Sequence, residues 1–141
     1  MVAVTFTVKH EPVGQPRHRS TIRNGQVMLY LPGRHPVHAF KRAIRAAYLM
    51  ERGKEHLQGP LSITVHCLFP RPKSKVWKTK LMESYWHTAK PDFDNVTKAV
   101  CDALNGLAWG DDSQIAQATI SKRVVGVSVP RVVITIEELS E

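Results

Sequence analysis

The sequence predicts a single compact α+β domain in which two main helices pack on a mixed β-sheet. Three observations support this: a chain of 141 residues, short segments with alternating apolar and polar residues, and two segments with apolar residues at helical spacing. Domains cluster near about 100–150 residues, a length that can bury a substantial core. The expected order is strand, basic hairpin, helix, strand, basic loop, helix, strand, strand. We expect residues 1–141 to form this domain, with the basic loop at about residues 70–89.

The first half of the chain supplies a strand, a hairpin and a helix. Val2–Lys9 alternates apolar and polar residues, as a half-buried strand does. Asn24 and Gly25 then lie between two short segments, and this dipeptide is a strong signal for a two-residue hairpin turn. Val37–Arg52 has an apolar face at helical spacing, and Gly53 is placed to end the helix.

The second half supplies the rest of the sheet and a second helix. Leu61–Phe69 is a nearly continuous apolar run, which predicts a central strand, and a lysine- and arginine-rich loop follows it. The apolar stripe of the second helix consists of Val96, Ala99, Val100, Ala103 and Leu104. Asn105 and Gly106 end that helix, and Ile115–Val125 and Val132–Ile136 are predicted to be the closing strands.

Charge is distributed unevenly along the chain. The formal net charge is +8, but residues 92–112 contain all five aspartates and one lysine, a net −4, so the other residues carry +12. A basic body predicts an anionic polymer as partner, nucleic acid rather than a membrane surface. The sequence contains neither an apolar run of about 18–20 residues nor the features of a signal peptide. With Cys67 and Cys101 as reduced core thiols, we expect a cytoplasmic protein without a small-molecule cofactor.

The acidic window contains a candidate metal site. Asp92 precedes the second helix and Asp94 begins it, and their side chains project to the same side if the segment from Asp92 to Asp94 is extended. Lys98 follows Asp94 by one helical turn, and either Asp111 or Asp112 joins the pair if the next strand lies beside the helix start. Two carboxylates about 6 Å apart repel by about 2–3 kcal/mol at an effective dielectric of about 20, which favours a cation between them.

Oxygen ligands from carboxylates, water and phosphate suit Mg²⁺, with Mn²⁺ as an alternative. In a basic body this predicts phosphodiester hydrolysis, with Lys98 stabilising charge on the phosphate or orienting the attacking water. Simpler roles compete with this prediction. Asp94 can cap the helix, Lys98 can pair with Asp94 or with Asp102 on a solvated face, and Gly110–Ser113 has ordinary turn composition.

The acidic window also resembles a known family. The segments concerned are KPDFDNVTK (90–98), DALNG (102–106) and WGDDSQI (109–115). They resemble the RusA family of phage-type Holliday junction resolvases, closely over residues 90–122 and more loosely over 14–19 and 131–137. The resemblance implies a Mg²⁺-dependent endonuclease that acts as a homodimer on four-way DNA junctions in a bacterial or phage-infected cell.

The resemblance also implies residue roles. Asp92, Asp94 and Asp112 correspond to the essential metal-binding acids and Lys98 to the essential lysine, whereas Asp111 is left to support the turn. A two-fold dimer would place one active site on each of the two equivalent strands of a junction.

Candidate contacts to the DNA backbone lie in the basic parts of the chain. They are Arg17, Arg19, Lys73, Lys75, Lys90 and Lys122. Trp77, Tyr85 and Trp86 are interspersed with the basic residues of the loop, so they either stack on unpaired bases or lie partly buried under the loop.

The main alternative to an enzyme is a non-catalytic nucleic-acid-binding module, in which the aspartates only cap a helix and form a turn.

Overall fold

The central feature of the fold is a five-stranded mixed sheet with helices on one face. A computed structural model describes residues 2–30, 32–76, 83–126 and 128–140. The strands of these residues are β1 (Ala3–Val8), β2 (Arg19–Arg23), β3 (Gln26–Tyr30), β4 (Leu61–Phe69), β5 (Tyr85–Trp86), β6 (Ile115–Val124) and β7 (Arg131–Glu138). The helices are α1 (Val37–Glu51) and α2 (Phe93–Leu104). The predicted fold class is confirmed.

The strand order places the candidate site beside one edge of the sheet. The order is β1-β7-β4-β6-β5, so β4 is central, as predicted. β4 pairs in parallel with β6 and antiparallel with β7. Two parallel strands need a crossover connection, and α2 lies in the connection between β4 and β6. Helix α2 and strand β6 therefore belong to one β-α-β crossover unit.

Both helices cover the same face of the sheet. Alternate residues of β4 are buried, whereas those between them are partly or fully exposed. The buried stripes are Val37, Phe40, Ile44 and Tyr48 in α1 and Val96, Ala99, Val100, Ala103 and Leu104 in α2. The predicted stripe of α2 is thus confirmed, and its burial fixes the position of the helix against the sheet.

Strands β2 and β3 form a separate hairpin outside the main sheet. Asn24 and Gly25 have φ angles of 51° and 75°, as a two-residue turn with left-handed central residues requires. All ten strand residues of the hairpin are exposed. The hairpin predicted from the Asn-Gly dipeptide is confirmed.

Two local features add to the predicted elements. Helix α2 begins at Phe93 and Asp92 occupies its N-cap position, so the condition of an extended segment from Asp92 to Asp94 is not met. The described part of the basic loop contains a short 3₁₀ helix at Lys73–Lys75 and the strand β5. Trp77 and the rest of 77–82 lie outside the described residues.

Two further features bear on the class of protein. Both cysteines are free thiols; Cys67 is buried in the core, and Cys101 is partly buried. Burial is the main cause that raises the pKa of Cys67 to about 12. Within the described ranges, no helix has both the length and the apolar character needed to cross a membrane.

Candidate active site

Two candidate carboxylates lie at the start of α2. The backbone oxygen of Asp92 accepts hydrogen bonds from the amides of Asn95 (3.1 Å) and Val96 (3.2 Å), but its side chain makes no capping bond. The Asp92 carboxylate instead lies 3.2 Å from Lys90 Nζ in an exposed ion pair. Among the described residues, none donates a hydrogen bond to the carboxylate of Asp94, in the first turn. Side-chain capping therefore does not account for these two acids.

Lys122 holds the segment that leads to Asp92. Its Nζ donates hydrogen bonds to the carbonyl oxygens of Ala89 (2.9 Å) and Pro91 (2.7 Å). Lys122 pairs with the buried Cys67 across β4 and β6, so it lies on the helix-covered face. The sequence predicted a contact with the DNA backbone here, but the structure directs this ammonium group to two backbone carbonyls. Lys122 is thus a positioning residue for the acidic segment.

Asp111 and Asp112 have different roles: the first caps a turn, and the second is a candidate metal ligand. Oδ1 of Asp112 accepts a 2.7 Å hydrogen bond from Nε1 of the fully buried Trp109. Asp111 caps a short 3₁₀ turn, because its side chain accepts from the amide of Ser113 and its own amide donates to the side chain of Gln114. The bonds from Ser113 lower the pKa of Asp111. Asp111 therefore supports the turn, and Asp112 is fixed by the core.

A cleft of about 580 Å³ brings distant parts of the chain together. Its lining consists of Gln15, Pro16, Arg17, His18, Asn95, Thr97, Lys98, Cys101, Asp102 and Asp112. Arg17, Lys98 and Asp112 thus meet at one surface although they come from three segments. Asp92 and Asp94 are not part of this lining; they lie at the start of α2, and Asp94 precedes Lys98 by about one turn.

The loop before β2 packs against the start of α2. The amide of Gln15 donates a 2.9 Å hydrogen bond to the carbonyl oxygen of Asn95. A Cβ atom on Gly14 would lie only 2.7 Å from Cβ of Pro91 and 3.3 Å from Cβ of Asn95, so glycine permits this close approach. The contact holds the loop next to the helix start and places Arg17 in the cleft.

The acidic residues offer oxygen donors for a metal ion. Within the described residues, no three histidine, cysteine, aspartate or glutamate side chains lie close enough together to enclose one. Mg²⁺ commonly binds through one or two carboxylates and completes its shell with water and substrate phosphate. Among the described residues a three-carboxylate site is therefore not preformed, and one or two of Asp92, Asp94 and Asp112 would hold an ion whose shell water and DNA phosphate complete.

Sequence reasoning missed a buried lysine beside the cleft. Lys41, which is 5% exposed, forms an ion pair with Asp102, whose side chain is 56% exposed. Asp102 is therefore exposed, as predicted, and also forms an ion pair with Lys41. Lys41 lies between Val37 and Ile44 in the buried stripe of α1. Because a buried ammonium group needs a partner, its position in this stripe was the sequence signal for a buried ion pair. Burial and the nearby carboxylates raise the pKa of the Cys101 thiol to about 11.

The remaining candidate DNA contacts lie outside the cleft lining. Arg19 is at the start of the exposed strand β2, and Lys73 and Lys75 lie on the exposed 3₁₀ helix. Of the aromatic residues, Tyr85 is partly buried and Trp86 is 64% exposed. Partial burial therefore applies to Tyr85, and stacking on bases stays a prediction for Trp86.

The fold and the site define a basic α+β domain with carboxylates and a lysine at one helix start. A sequence model of the family described as "Endodeoxyribonuclease RusA" matches residues 9–137. The chain therefore belongs to the RusA endodeoxyribonuclease family, as its motifs indicated. It is also similar to "Uncharacterized protein YqaN" of Bacillus subtilis (strain 168), with 38% identity over 145 residues that cover 99% of each chain. Family membership points to a hydrolase that acts on DNA.

Proposed function

We propose that this protein is a Mg²⁺-dependent endonuclease that resolves four-way DNA junctions by hydrolysing one phosphodiester bond in each of two strands. The observation that carries the proposal is the pair of acids at the start of α2. Neither Asp92 nor Asp94 caps the helix with its side chain, and Lys98 follows within about one turn. In a family of endodeoxyribonucleases, such a pair is suited to metal binding.

The acids would hold the ion together with DNA. Asp92, Asp94 and Asp112 supply oxygen atoms, and Mn²⁺ can replace Mg²⁺ at such ligands. A divalent ion bound there supplies Lewis-acid chemistry for phosphodiester hydrolysis. The indole N–H of Trp109 orients Asp112, and Lys122 supports the backbone before Asp92.

The cations of the site act on the phosphate. In the reaction, a water oxygen forms a bond to phosphorus and gives up a proton, one ester P–O bond breaks, and the leaving oxygen takes up a proton. Lys98 stabilises the negative charge that develops on the phosphate, and Arg17 binds DNA in the same cleft. The flanking phosphates are contacted by Arg19, Lys73, Lys75 and Lys90.

The exposed hairpin supports a homodimer. In the register of β2 and β3, Ile22, Val27 and Leu29 share one face, and each is more than two-thirds exposed. A two-stranded hairpin alone is only marginally stable in water, so a second copy that covers this apolar face would stabilise both hairpins. The uncharged face has no cation for phosphate, which favours protein over DNA as its partner. A symmetric dimer would present two active sites to one junction.

Sedimentation of matched variants tests the dimer. Leu29→Lys places a charge on the apolar face of the hairpin, whereas Thr21→Lys places it on the opposite face. We expect the wild type and Thr21→Lys to sediment as dimers and Leu29→Lys as a monomer. A monomeric wild type at micromolar concentration would contradict the homodimer without affecting the proposed cleavage centre.

A cleavage assay tests the activity. A labelled four-way junction and a linear duplex of the same sequence are incubated with Mg²⁺ or EDTA. We expect the wild type to cut the junction only with Mg²⁺, and Asp94→Asn to bind it without cutting. Binding without Mg²⁺-dependent cleavage by the wild type would indicate a non-catalytic binding module. Equal cleavage of junction and duplex would contradict selectivity for branched DNA.

A further inference from the structure

Strand β5 places Trp86 on the face of the sheet that the helices leave uncovered. Trp86 pairs with Arg123 of β6, which in turn pairs with Leu68 of β4. Leu68 is one of the alternate β4 residues that are not buried in the core. Directly paired residues of neighbouring strands point to the same face. Trp86 and Arg123 therefore lie together on the uncovered face.

Trp86 is supported on one side and exposed elsewhere. The guanidinium of Arg123 lies 4.3 Å from the centre of the indole ring. Arg123 is itself held by hydrogen bonds to the carbonyl oxygen (3.1 Å) and the hydroxyl (3.0 Å) of Ser84. The tryptophan nevertheless remains 64% exposed, so the arginine covers only part of it. Tryptophan is enriched at binding interfaces, because its ring is largely apolar and its N–H is polar.

Two arginines carry positive charge on this face. One is Arg123, whose guanidinium lies over the ring of Trp86. Arg131 of β7 lies on the same uncovered face of the sheet. The surface therefore suits a ligand that combines flat aromatic groups with negative charge. A nucleic acid strand with unpaired bases has both properties.

We infer that Trp86 and Arg123 form a stacking platform for an unpaired base of the DNA substrate. The base stacks on the exposed part of the indole, and the positive charge of Arg123 attracts the adjoining phosphate. The inference rests on the proposed function for DNA as the substrate. It adds a single-strand contact that is separate from the cleavage centre.

The platform is linked to the acidic site by a short segment of chain. Trp86 precedes Asp92 by six residues, so their Cα atoms are separated by no more than about 20 Å. Arg123 and Lys122 are consecutive in β6: the first contacts Trp86, and the second binds the carbonyl oxygen of Pro91. Consecutive residues of a strand point to opposite faces, so the platform and the acidic site lie on opposite faces of the sheet near its β5 edge. A DNA strand that contacts both must pass around this edge.

Binding in EDTA tests the platform separately from cleavage. The probe is a single-stranded oligonucleotide that contains 2-aminopurine, whose fluorescence is quenched by stacking. We expect Trp86→Ala to weaken single-strand binding by about tenfold or more and to reduce the quenching, with little change for a linear duplex. Trp86→Phe keeps an aromatic ring and should retain most of the affinity. Met50→Ala removes another exposed apolar side chain, on α1, and should change neither affinity.

Three results would overturn the inference. One is equal single-strand affinity for Trp86→Ala and wild type, and another is an equal loss for single strand and duplex. The third is a change in sedimented mass for Trp86→Ala, which would assign the residue to a protein contact. Thermal unfolding of Trp86→Phe and Trp86→Ala checks that both variants are folded. Because this measurement needs no cleavage, single-strand binding through Trp86 can be found in a protein that does not cut junctions. Junction cleavage can likewise be found in a protein in which Trp86 does not bind single strands.

Discussion

The acidic centre and the hairpin arm differ in how firmly the protein core holds them. The acidic centre is the set Asp92, Asp94, Lys98 and Asp112; the hairpin arm is residues 14–30. Trp109 of the core binds the Asp112 carboxylate, and Lys122 of the sheet binds the backbone before Asp92. The strands of the arm are exposed throughout, and the Gly14–Gln15 segment packs against the start of α2.

This difference matches the separate demands of cleavage and binding. Catalytic groups need to be placed to within about 0.5 Å, which favours side chains on rigid elements with hydrogen-bonded support. Contacts with a long, charged ligand tolerate more variation in position, and exposed loops can supply them. Changes in the acidic centre should therefore reduce the cleavage rate, and changes in the arm should reduce affinity or assembly.

The largest expected effect separates two adjacent aspartates. Asp112→Asn removes a candidate metal ligand and should reduce junction cleavage by about 100-fold or more, as measured under single-turnover conditions. Its junction affinity in EDTA should be unchanged or higher, because a negative charge near phosphate is lost. Asp111→Asn is the matched control, since asparagine is as good a cap as aspartate, and it should change the rate less than about threefold.

The opposite result would reassign the ligand. If Asp111→Asn abolished cleavage and Asp112→Asn did not, the capping residue would be the essential acid. Equal, small effects of both variants would leave only Asp92 and Asp94 as candidate ligands. They would contradict a role in cleavage for Asp112, the carboxylate that Trp109 holds in place.

The sequence predicts the parts of the fold that depend on local signals. The apolar stripe of α2 places it against the sheet, and the Asn24-Gly25 dipeptide with its two flanking segments predicts the hairpin. Leu61–Phe69 is long and apolar enough to be recognised as a central strand. In each case the residues that carry the signal are close together in sequence.

The features that were missed depend on contacts between distant residues. Strand β5 has only two residues, too few for any periodicity, and it exists through pairing with β6. Lys122 and Lys41 have basic side chains that composition assigns to the surface, yet one binds two carbonyls and the other pairs with Asp102. Their roles follow from the tertiary fold, which brings their partners to them.

A smaller effect is expected where the arm meets α2. Gly14→Ala would bring a methyl group to within 2.7 Å of Cβ of Pro91, so the loop must move. We expect a stability loss of about 1–3 kcal/mol by thermal or urea unfolding. Junction affinity should also fall several-fold, because Arg17 moves away from the cleft. Gly33→Ala is the control, since among the described residues no atom beyond its chain neighbours lies within 4 Å of the added Cβ. Unchanged stability in both variants would contradict the close contact between Gly14 and Pro91.

The smallest expected effect is a change in thiol reactivity beside Asp112. The Cys101 pKa of about 11 leaves roughly one thiolate in a thousand at pH 8, so alkylation should be slow and rise about tenfold per pH unit below that pKa. The Asp112 charge contributes to the raised pKa, so Asp112→Asn should lower it and speed alkylation a few-fold, as measured by peptide mass spectrometry.

The same measurement also reports on the metal. Asp111→Asn should leave Cys101 reactivity unchanged, and the buried Cys67, with a pKa of about 12, should react more slowly in every variant. If Asp112 binds Mg²⁺, the ion offsets the carboxylate charge and should accelerate alkylation of Cys101 in the wild type but not in Asp112→Asn. An identical effect of Mg²⁺ on both proteins would place the ion elsewhere and leave Asp112 outside its ligands.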